Sequence, residues 1–400
     1  MPLLAQSGYG RGEKVNRGLE AGSIRGVILS PRDESRERLE SFCAELAGMA
    51  DTPTVLFDPQ FYTATLRNAR DGNLADYSYY ADNCGLSRNQ FRPSQVERYV
   101  RASIDYQRSL PALTYIVSPT VAFDDFRDFW SQIAISMAEE SVEYYGGRSS
   151  GPPLLISVVL PEGALRYTEQ VNEFLDALSS LEVPGFYLIV QRGSSTIQHA
   201  MDPAAMANLM YFIHVLGPLN GYEVIAGYSD WLGFLVEAAG ATMTASGWHN
   251  GLRQFSLNRF LPQTGGRRPR KRYSSVPLLS CPLIVPELED VYLAGMLDKV
   301  LMGGSHDHLL ANGPANGERQ WNDEVSCLAH WESLARLLTA VGEVSDVPSR
   351  LANATTIIRA AQARHTQLET SGIFFESQTG PDHLENWLNS VEAFRQAAGL

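Results

Sequence analysis

The chain alternates between short apolar runs and longer segments in which apolar residues recur every three or four positions. Eight runs rich in β-branched and aliphatic residues stand out: residues 26–30, 54–58, 113–118, 154–160, 186–190, 223–226, 241–245 and 276–279. Short runs separated by helical segments predict strands of βα units. The last run is the weakest, because Pro277 has no N–H to donate to a sheet.

The segments between the runs have the period of amphipathic helices. Three predicted helix faces consist of Leu39, Phe42, Cys43 and Leu46, then Phe126, Trp130, Ile133 and Met137, then Val171, Phe174, Leu175 and Leu178. The pattern predicts an α/β fold, a (βα)8 barrel of the TIM type with a helical C-terminal extension. A doubly wound open sheet is the alternative. The barrel is preferred because eight units are counted and no Gly-x-Gly-x-x-Gly turn follows the first run.

The element count divides the 400 residues into three parts. Residues 1–25 are predicted to be an N-terminal extension, 26–310 the barrel, and 317–400 a helical segment that packs on the barrel. A barrel needs roughly 250 residues, which leaves room for this appendage. Two long polar loops, at 59–95 and 247–275, interrupt the alternation of predicted strands and helices. Loops that follow strand ends build the sites of such barrels, so function is expected there.

Composition excludes several classes of protein. A hydrophobic fraction of 44% is that of an ordinary globular chain, and no stretch approaches the ~20 apolar residues of a membrane span. The first 25 residues lack the apolar centre of a secretory signal, so a cytoplasmic location is expected. The four cysteines are far apart, which argues against a zinc site or a disulfide framework. We therefore predict no metal and no cofactor.

Charge is unevenly distributed. The net charge is −13, yet residues 238–286 contain no Asp or Glu. The cations in this window are Arg253, Arg259, Arg267, Arg268, Arg270, Lys271 and Arg272. A basic segment on an acidic body suits the phosphates of DNA or RNA. A solvated loop, a docking patch for a protein partner or a contact with the chain's own acidic surface are the alternatives.

Polar residues at the predicted strand ends are candidates for chemistry. Asp58 ends the second run and is followed by Gln60 and Tyr62, so it is a candidate acid/base with those two beside the substrate. A turn or a capped loop amide is the structural alternative for Asp58. Gln191 and Arg192 end the fifth run, where the guanidinium can grip a phosphate or carboxylate in a planar fork. A surface salt bridge is the alternative for Arg192.

The sixth and seventh runs end in two further polar groups. Tyr228 and Asp230 follow the sixth, and Ser-Gly-Trp-His-Asn-Gly follows the seventh at 246–251. His249 can carry protons near neutral pH, and Trp248 can stack on a flat ring. Packing or hydrogen bonding is the alternative for each residue taken singly. The predicted substrate contacts of these two groups are Tyr228, Ser246, Trp248 and Asn250.

The stretch 224–241, continuing through 246–247 to 250–255, resembles the late barrel segment of tRNA-guanine transglycosylases. Asp58 with the following Pro-Gln-Phe resembles that family's Asp on an early strand, which acts as general acid/base on the exchanged base. Cys327-Leu-Ala-His330-Trp is similar to the family's C-terminal helix that bears a His. The resemblance covers about a quarter of the chain. It implies base exchange in a nucleic acid, with Asp58 as the acid/base.

Two features of that family are missing. Its nucleophilic Asp lies in the strand that corresponds to 241–245, where this chain has no carboxylate. Its Cys-x-Cys-x-x-Cys zinc site is also absent, which leaves Cys281 alone. If the chain is an enzyme of this kind, Asp230 is the candidate second carboxylate.

Three functions therefore stay open. The first is a transglycosylase-like glycosyltransferase that acts on or binds a base in a nucleic acid. The second is a non-catalytic subunit that binds nucleic acid or acts as a scaffold in a larger complex. The third is a small-molecule barrel enzyme with Arg192 as an anion clamp. Asp58 and Asp230 converging in one pocket would favour the first, and their separation the second.

Overall fold

The computed structural model describes residues 2–69, 72–80, 85–146, 151–193, 199–262 and 270–400. Within them, eight strands form one parallel sheet. They are β1 Leu3–Gln6, β2 Gly26–Leu29, β3 Thr54–Phe57, β4 Ile116–Val117, β5 Leu154–Pro161, β6 Gly185–Gln191, β7 Glu223–Gly227 and β8 Met243–Ser246.

The sheet curls into a nearly closed barrel. Its strand order is β3-β2-β1-β8-β7-β6-β5-β4, so β3 and β4 are the two ends of the series. These ends meet, because the Thr114 N–H donates to the Val55 carbonyl at 2.9 Å and the Val55 N–H donates to Thr114 Oγ1 at 3.0 Å. The predicted (βα)8 barrel of the TIM type is confirmed.

Two of the strand predictions are wrong. The first strand is Leu3–Gln6, inside the segment assigned to an N-terminal extension, and it pairs with both β2 and β8. Residues 276–279 form a turn instead of the eighth strand, with the antiparallel bridge Ser275↔Ser280 across it. The sequence pattern missed the first strand because it is a run of only four residues with no helical segment before it to mark a βα unit. The apolar 276–279 run is buried against other loops and helices.

Helices cover the barrel and continue into the C-terminal extension. The first eight are α1 Lys14–Glu20, α2 Arg36–Ala47, α3 Pro93–Arg108, α4 Phe129–Ser141, α5 Thr168–Ser179, α6 Pro203–His214, α7 Gly233–Ala238 and α8 Asn250–Arg253. The rest are α9 Glu289–Leu293, α10 Pro314–Gly317, α11 Asp323–Gly342, α12 Val347–Thr370 and α13 Asp382–Ala398. Helix α11 packs on α7 and α1, and α13 on α6, so the extension lies against the β6–β8–β1 side. Among the described residues, no helix is both long and apolar enough to cross a membrane.

The core has an inner and an outer layer because successive strand residues face opposite sides of the sheet. The inside of the barrel is filled by residues such as Leu4, Ile28, Leu56, Tyr187 and Ile225. The outer layer joins the barrel to its helices and contains the predicted apolar faces of α2 and α5. A third cluster, around Tyr273, Trp321 and Leu368, lies outside the barrel. The inner layer is a packed core, so any site must be built at the barrel's rim.

Candidate active site at the carboxyl ends of the strands

Asp58 follows directly after β3 and points into the mouth of the barrel. Its residue is 1% exposed. The Gln60 backbone N–H donates to Asp58 Oδ1 at 3.0 Å, and the Tyr62 hydroxyl donates to Oδ2 at 3.0 Å. Leu56 and Tyr62 belong to the inner core layer, and Asp58 lies on the same side of the strand as Leu56. The sequence prediction that Asp58, Gln60 and Tyr62 lie together is therefore met by direct contacts.

The ionisation of Asp58 is displaced towards neutral pH. Burial raises its pKa to about 6, against the lowering effect of the Gln60 N–H and the Tyr62 hydroxyl. A carboxyl group with such a pKa exists in both protonation states near neutral pH. It can therefore give and take a proton in turn, which is what a general acid/base requires.

The backbone is strained at the two strand ends that carry the candidate residues. Gln60 after β3 has φ 53°, and Tyr228 and Asp230 after β7 have φ 53° and 44°. Side chains other than glycine seldom adopt this left-handed region, at a cost of about 1–3 kcal/mol each. Strain of this kind is concentrated where the fold has to hold a side chain in a set direction.

Four aromatic rings close the mouth over Asp58. Tyr62 packs edge-on against Phe255 and Phe260, with ring centroids 5.0 Å and 5.8 Å apart. The Tyr228 ring lies 5.3 Å from Phe255. All four residues are buried, so Asp58 has no open path to solvent in this conformation. Tyr228, predicted from the sequence as a substrate contact, belongs to this aromatic cover, whereas Phe255 and Phe260 were not predicted site residues.

Among the described residues, several polar atoms inside the mouth have no hydrogen-bond partner of good geometry. They are both amide atoms of Gln6, the hydroxyl of Tyr187 and Oε1 of Gln191. Gln6 and Tyr187 are completely buried, and the Tyr187 hydroxyl is near enough to the Asp58 carboxyl group and the Gln6 amide for weak hydrogen bonding with each. Buried polar groups are nearly always paired, so an unpaired set beside a carboxyl group marks a place where a ligand would bind. Sequence reasoning missed Gln6 because residues 1–25 were assigned to an extension.

The rim beside β2 holds a second polar network. Gln60 Nε2 donates to Ser30 Oγ at 2.9 Å, and Ser30 Oγ donates to Asp33 Oδ2 at 2.8 Å. Arg259 forms an ion pair with Asp33 and donates to the Tyr228 hydroxyl at 3.3 Å. Arg259, predicted to bind a phosphate, is thus held within the rim, with a side chain only 11% exposed.

Asp230 lies in a different network from Asp58. The Ser246 hydroxyl donates to Asp230 Oδ1 at 2.6 Å, and His330 Nε2 lies 2.7 Å from the same oxygen. Burial disfavours the charged form, but His330, Arg253 and Ser246 outweigh it and hold the pKa of Asp230 at about 2. Asp230 is therefore a carboxylate at neutral pH.

The two carboxyl groups do not converge. Three strands separate β3 from β7 in either direction around the barrel, so their ends lie on opposite sides of the rim. Asp58 faces the interior, whereas Asp230 bonds to Ser246 and to His330 of α11, on the outer side of β8. The structure thus separates Asp230 from the place expected for a second carboxylate. His330 was noted from the sequence only through the family resemblance.

Among the described residues, no hydrogen bond joins the group after β8 to Asp58. Trp248 is half-buried, packs against the inner core layer, and its Nε1–H donates to the Tyr9 carbonyl at 2.9 Å. His249 stands where α8 begins, within range of the Arg259 and Asp33 charges. Burial and the Arg259 charge lower the pKa of His249 to about 4, so the imidazole is neutral near pH 7. Asn250 is exposed, and Ser246 is buried.

Gln191 and Arg192 end β6 as predicted, but the guanidinium is already engaged. Arg192 Nε donates to Glu162 Oε2 at 3.0 Å, and its Nη2 donates to the Ala200 carbonyl. The Arg192 backbone N–H donates to the Phe255 carbonyl at 2.8 Å, which ties the aromatic cover to the strand. The guanidinium is thus held in an ion pair, but a largely buried one, with side chains 4% and 18% exposed, and not the surface salt bridge named as the alternative for this residue.

The described part of the basic segment contacts the chain itself. Arg253 Nε donates to the Gly247 carbonyl at 3.2 Å. Arg270 forms a two-pronged pair with Glu376 at 3.0 Å and 2.6 Å, and Lys271 donates to the Glu318 carbonyl. Arg272 bonds to the Cys281 carbonyl, Thr379 and Gln378. Arg267 and Arg268 lie outside the described residues.

Known proteins add no identification. The sequence matches no protein-family model, and comparison with curated proteins finds no match. Within the residues that the structure describes, no group of three or more His, Cys, Asp or Glu side chains is placed to hold a metal ion. Cys43, Cys281 and Cys327 are free thiols, and Cys84 lies outside the described residues.

Proposed function

We propose that the chain is a TIM-barrel enzyme that acts on a flat heterocyclic base, with Asp58 as its general acid/base. The observation that carries the proposal is the position of Asp58: a carboxyl group with a pKa of about 6, buried in the barrel mouth among aromatic rings and unpaired polar atoms. Active sites of this fold are built at that end of the barrel.

The lining of the mouth suits a base better than an aliphatic substrate. The faces of a base would stack on rings such as Tyr62 and Phe255, which now pack edge-on against each other. Its polar edge would meet the Gln6 amide and the Tyr187 hydroxyl, which offer both donors and acceptors. A ligand that supplied these bonds would remove the cost of leaving buried polar atoms unpaired.

The chemistry proposed for Asp58 is proton transfer to and from the base. The bond between the base and its sugar breaks with its electron pair going to the base, and the carboxylic acid protonates the departing base. The incoming base then forms the new bond to the same sugar carbon with its own electron pair, and the carboxylate removes the proton that this base carries. The two transfers restore the starting state of Asp58. This is the base exchange that the resemblance to tRNA-guanine transglycosylases implies. The residue that attacks the sugar is not part of the proposal, because Asp230 lies outside the barrel mouth.

Access to Asp58 requires the aromatic cover to move. Phe255 and Phe260 belong to the polypeptide between β8 and α9, and the Phe255 carbonyl is held by the Arg192 N–H. Phe255 and Phe260 now contact Tyr62, and a bound base that took over those contacts would keep water out of the mouth. In this mechanism the cover excludes water during the reaction.

Nucleic acid is the proposed carrier of the base, and the charge distribution supports it. The described cations Arg270, Lys271 and Arg272 contact the chain's own residues. The Arg270–Glu376 pair is exposed, and exposed pairs are weak, at about 0–1 kcal/mol. Phosphates can therefore compete for this guanidinium.

The second candidate is a nucleic-acid-binding or scaffold subunit without catalysis. The separation of Asp58 from Asp230 favours it, since one carboxyl group alone supplies no nucleophile. The two candidates differ in whether base exchange occurs.

The test measures incorporation of labelled guanine, and separately of the other bases, into RNA and DNA by the intact protein. We expect incorporation by the wild type and a loss of about 100-fold or more in Asp58→Asn, the range of general acid/base catalysis. Asp307→Asn is the matched control, because Asp307 is also buried and accepts a hydrogen bond from a tyrosine, at 3.1 Å from Tyr273. It should retain incorporation. If the wild type incorporates no base, the enzymatic proposal fails.

A binding measurement then separates the remaining functions. Fluorescent DNA and RNA are titrated at two salt concentrations against the wild type and a variant with serine at Arg267, Arg268, Arg270, Lys271 and Arg272. Binding that weakens with salt in the wild type, and less so in the variant, supports contact with phosphates. Such binding without base exchange supports the scaffold subunit. Absence of binding removes nucleic acid from the proposal and leaves a small-molecule substrate.

A further inference from the structure

A chain of polar contacts links a partly exposed thiol to a buried carboxylate on the outer side of β8. Cys281 Sγ lies 3.6 Å from Ser274 Oγ, which lies 2.7 Å from His330 Nδ1. His330 Nε2 lies 2.7 Å from Asp230 Oδ1. A carboxylate only accepts hydrogen bonds, so Nε2 carries the imidazole proton and Nδ1 is the acceptor for the Ser274 hydroxyl. An imidazole that is oriented by a carboxylate and accepts a hydrogen bond from a hydroxyl can act as a general base and activate a nucleophile.

Cys281 is the most exposed of these four residues. Cys281 is partly exposed, whereas Ser274 and Asp230 are 5% exposed and His330 is 0% exposed. The indole N–H of Trp231 points at Cys281 Sγ from 3.2 Å. A donor in that position stabilises the negative charge that sulfur acquires when it loses its proton.

Unpaired polar atoms in and beside this series of four side chains point to a ligand. Within the part of the polypeptide that the structure describes, Asp230 Oδ2 and His199 Nε2 have no hydrogen-bond partner, and both residues are more than nine-tenths buried. The Asp230 charge acts on His199, together with Arg192 and Arg272, so these groups surround one region. Arg272 Nη1 also donates to the Cys281 carbonyl at 2.6 Å. The positive charge of Arg272 beside the Cys281 backbone favours a ligand that is an anion.

We propose that Cys281 is a nucleophilic thiol that exchanges with small anionic disulfides, and that Ser274 and His330 remove its proton. The Cys281 sulfur attacks one sulfur of the disulfide, a new S–S bond forms, and the old S–S bond breaks. The thiol proton passes to Ser274 Oγ as the Ser274 hydroxyl proton passes to His330 Nδ1. The imidazolium, paired with Asp230, then returns the proton through the Ser274 hydroxyl to the departing thiolate. The Cys281 thiol and the disulfide are thereby converted into a mixed disulfide on Cys281 and a free small-molecule thiol, without another oxidant.

The test uses 5,5′-dithiobis(2-nitrobenzoate), an anionic disulfide, on the full chain. Cys84→Ser is the background, because Cys84 lies outside the described residues. Cys43 and Cys327 are buried internal references. We expect the first mixed disulfide, located by peptide mass, at Cys281, and no fast phase after Cys281→Ser. His330→Gln and Ser274→Ala should each slow the fast phase about 100-fold, the loss expected when a general base is removed.

The matched control is His365→Gln. His365 is also a buried imidazole, 1% exposed, and contacts the Leu278 carbonyl at 3.1 Å. Its removal should leave the rate unchanged. A purely structural His330 predicts the opposite sign, since looser packing exposes Cys281 and speeds the reaction. An unchanged or faster rate in His330→Gln, or first modification at Cys43 or Cys327, would overturn the proposal. If His330→Gln does not fold, Ser274→Ala decides by the same criterion.

Discussion

Replacement of Asp58 by Asn tests whether the carboxyl group in the barrel mouth carries a raised pKa. In the folded protein the pKa of Asp58 is about 6, whereas in the unfolded chain the carboxyl group loses its proton near its ordinary pKa of 3.8. Between these values the native state binds more protons than the unfolded state, so stability falls as the pH rises. The difference corresponds to about 3 kcal/mol at pH 7. Asparagine carries no charge at any pH and avoids this loss.

The expected result is a stability difference that changes sign with pH. At pH 4, Asp58→Asn should be less stable by about 1 kcal/mol, because one of the two hydrogen bonds to the carboxyl group is lost. At pH 7.5 it should be more stable by about 2 kcal/mol, once the loss of that bond is subtracted from the ionisation cost. Urea unfolding at a series of pH values measures both quantities, with the slope m held constant between the proteins.

Asp176→Asn is the control, since Asp176 is exposed on α5. Its stability difference should stay within about 0.5 kcal/mol throughout. A difference between Asp58→Asn and the wild type that is independent of pH from 4 to 7.5 would refute the raised pKa. It would also remove the argument that Asp58 is suited to proton transfer.

Three further predictions concern stability. Burial raises the pKa of Glu237 to about 8, so the wild type should lose stability as the pH rises from about 5 to 8, whereas Glu237→Gln should not. Thermal unfolding of both proteins at pH 6 and 9 measures this, and an equal change of midpoint in the two proteins would contradict it. Gly18→Ala should lower the free energy of unfolding by about 1–3 kcal/mol, because the new Cβ would lie 2.9 Å from the Trp331 ring. Gly163→Ala is the control: no atom lies within 4 Å of its Cβ, so it should cost under about 0.5 kcal/mol in the same urea assay. Arg259→Ala should cost about 1.5–3 kcal/mol, because the buried Asp33 loses one of its two guanidinium partners and keeps Arg32 Nη1 at 2.9 Å. Arg270→Ala should cost at most about 1 kcal/mol, and equal urea midpoints would contradict the assignment of one pair as buried and the other as exposed.

The strand predictions show which information is local. Seven of the eight runs were found because buried parallel strands are continuous apolar stretches, a feature that sequence displays directly. The strand Leu3–Gln6 was missed, and the turn at 276–279 was predicted as a strand in its place. Both segments are short and mostly apolar, so only their pairing partners distinguish the strand from the buried turn. The same error hid Gln6, whose position in the mouth follows from the pairing of β1 with β2 and β8.

By itself, the sequence determined the fold class, the position of Asp58 at a strand end and the clustering of basic residues, because each depends on residues close together in the chain. Only the tertiary structure decided which polar residues share a site. It separated Asp58 from Asp230 by placing β3 and β7 on opposite sides of the barrel. It also joined Asp230 to His330, a hundred residues further along, and Cys281 to both through Ser274. Contacts between distant segments depend on strand order and helix packing, and these arise from the burial of the whole core rather than from any local pattern.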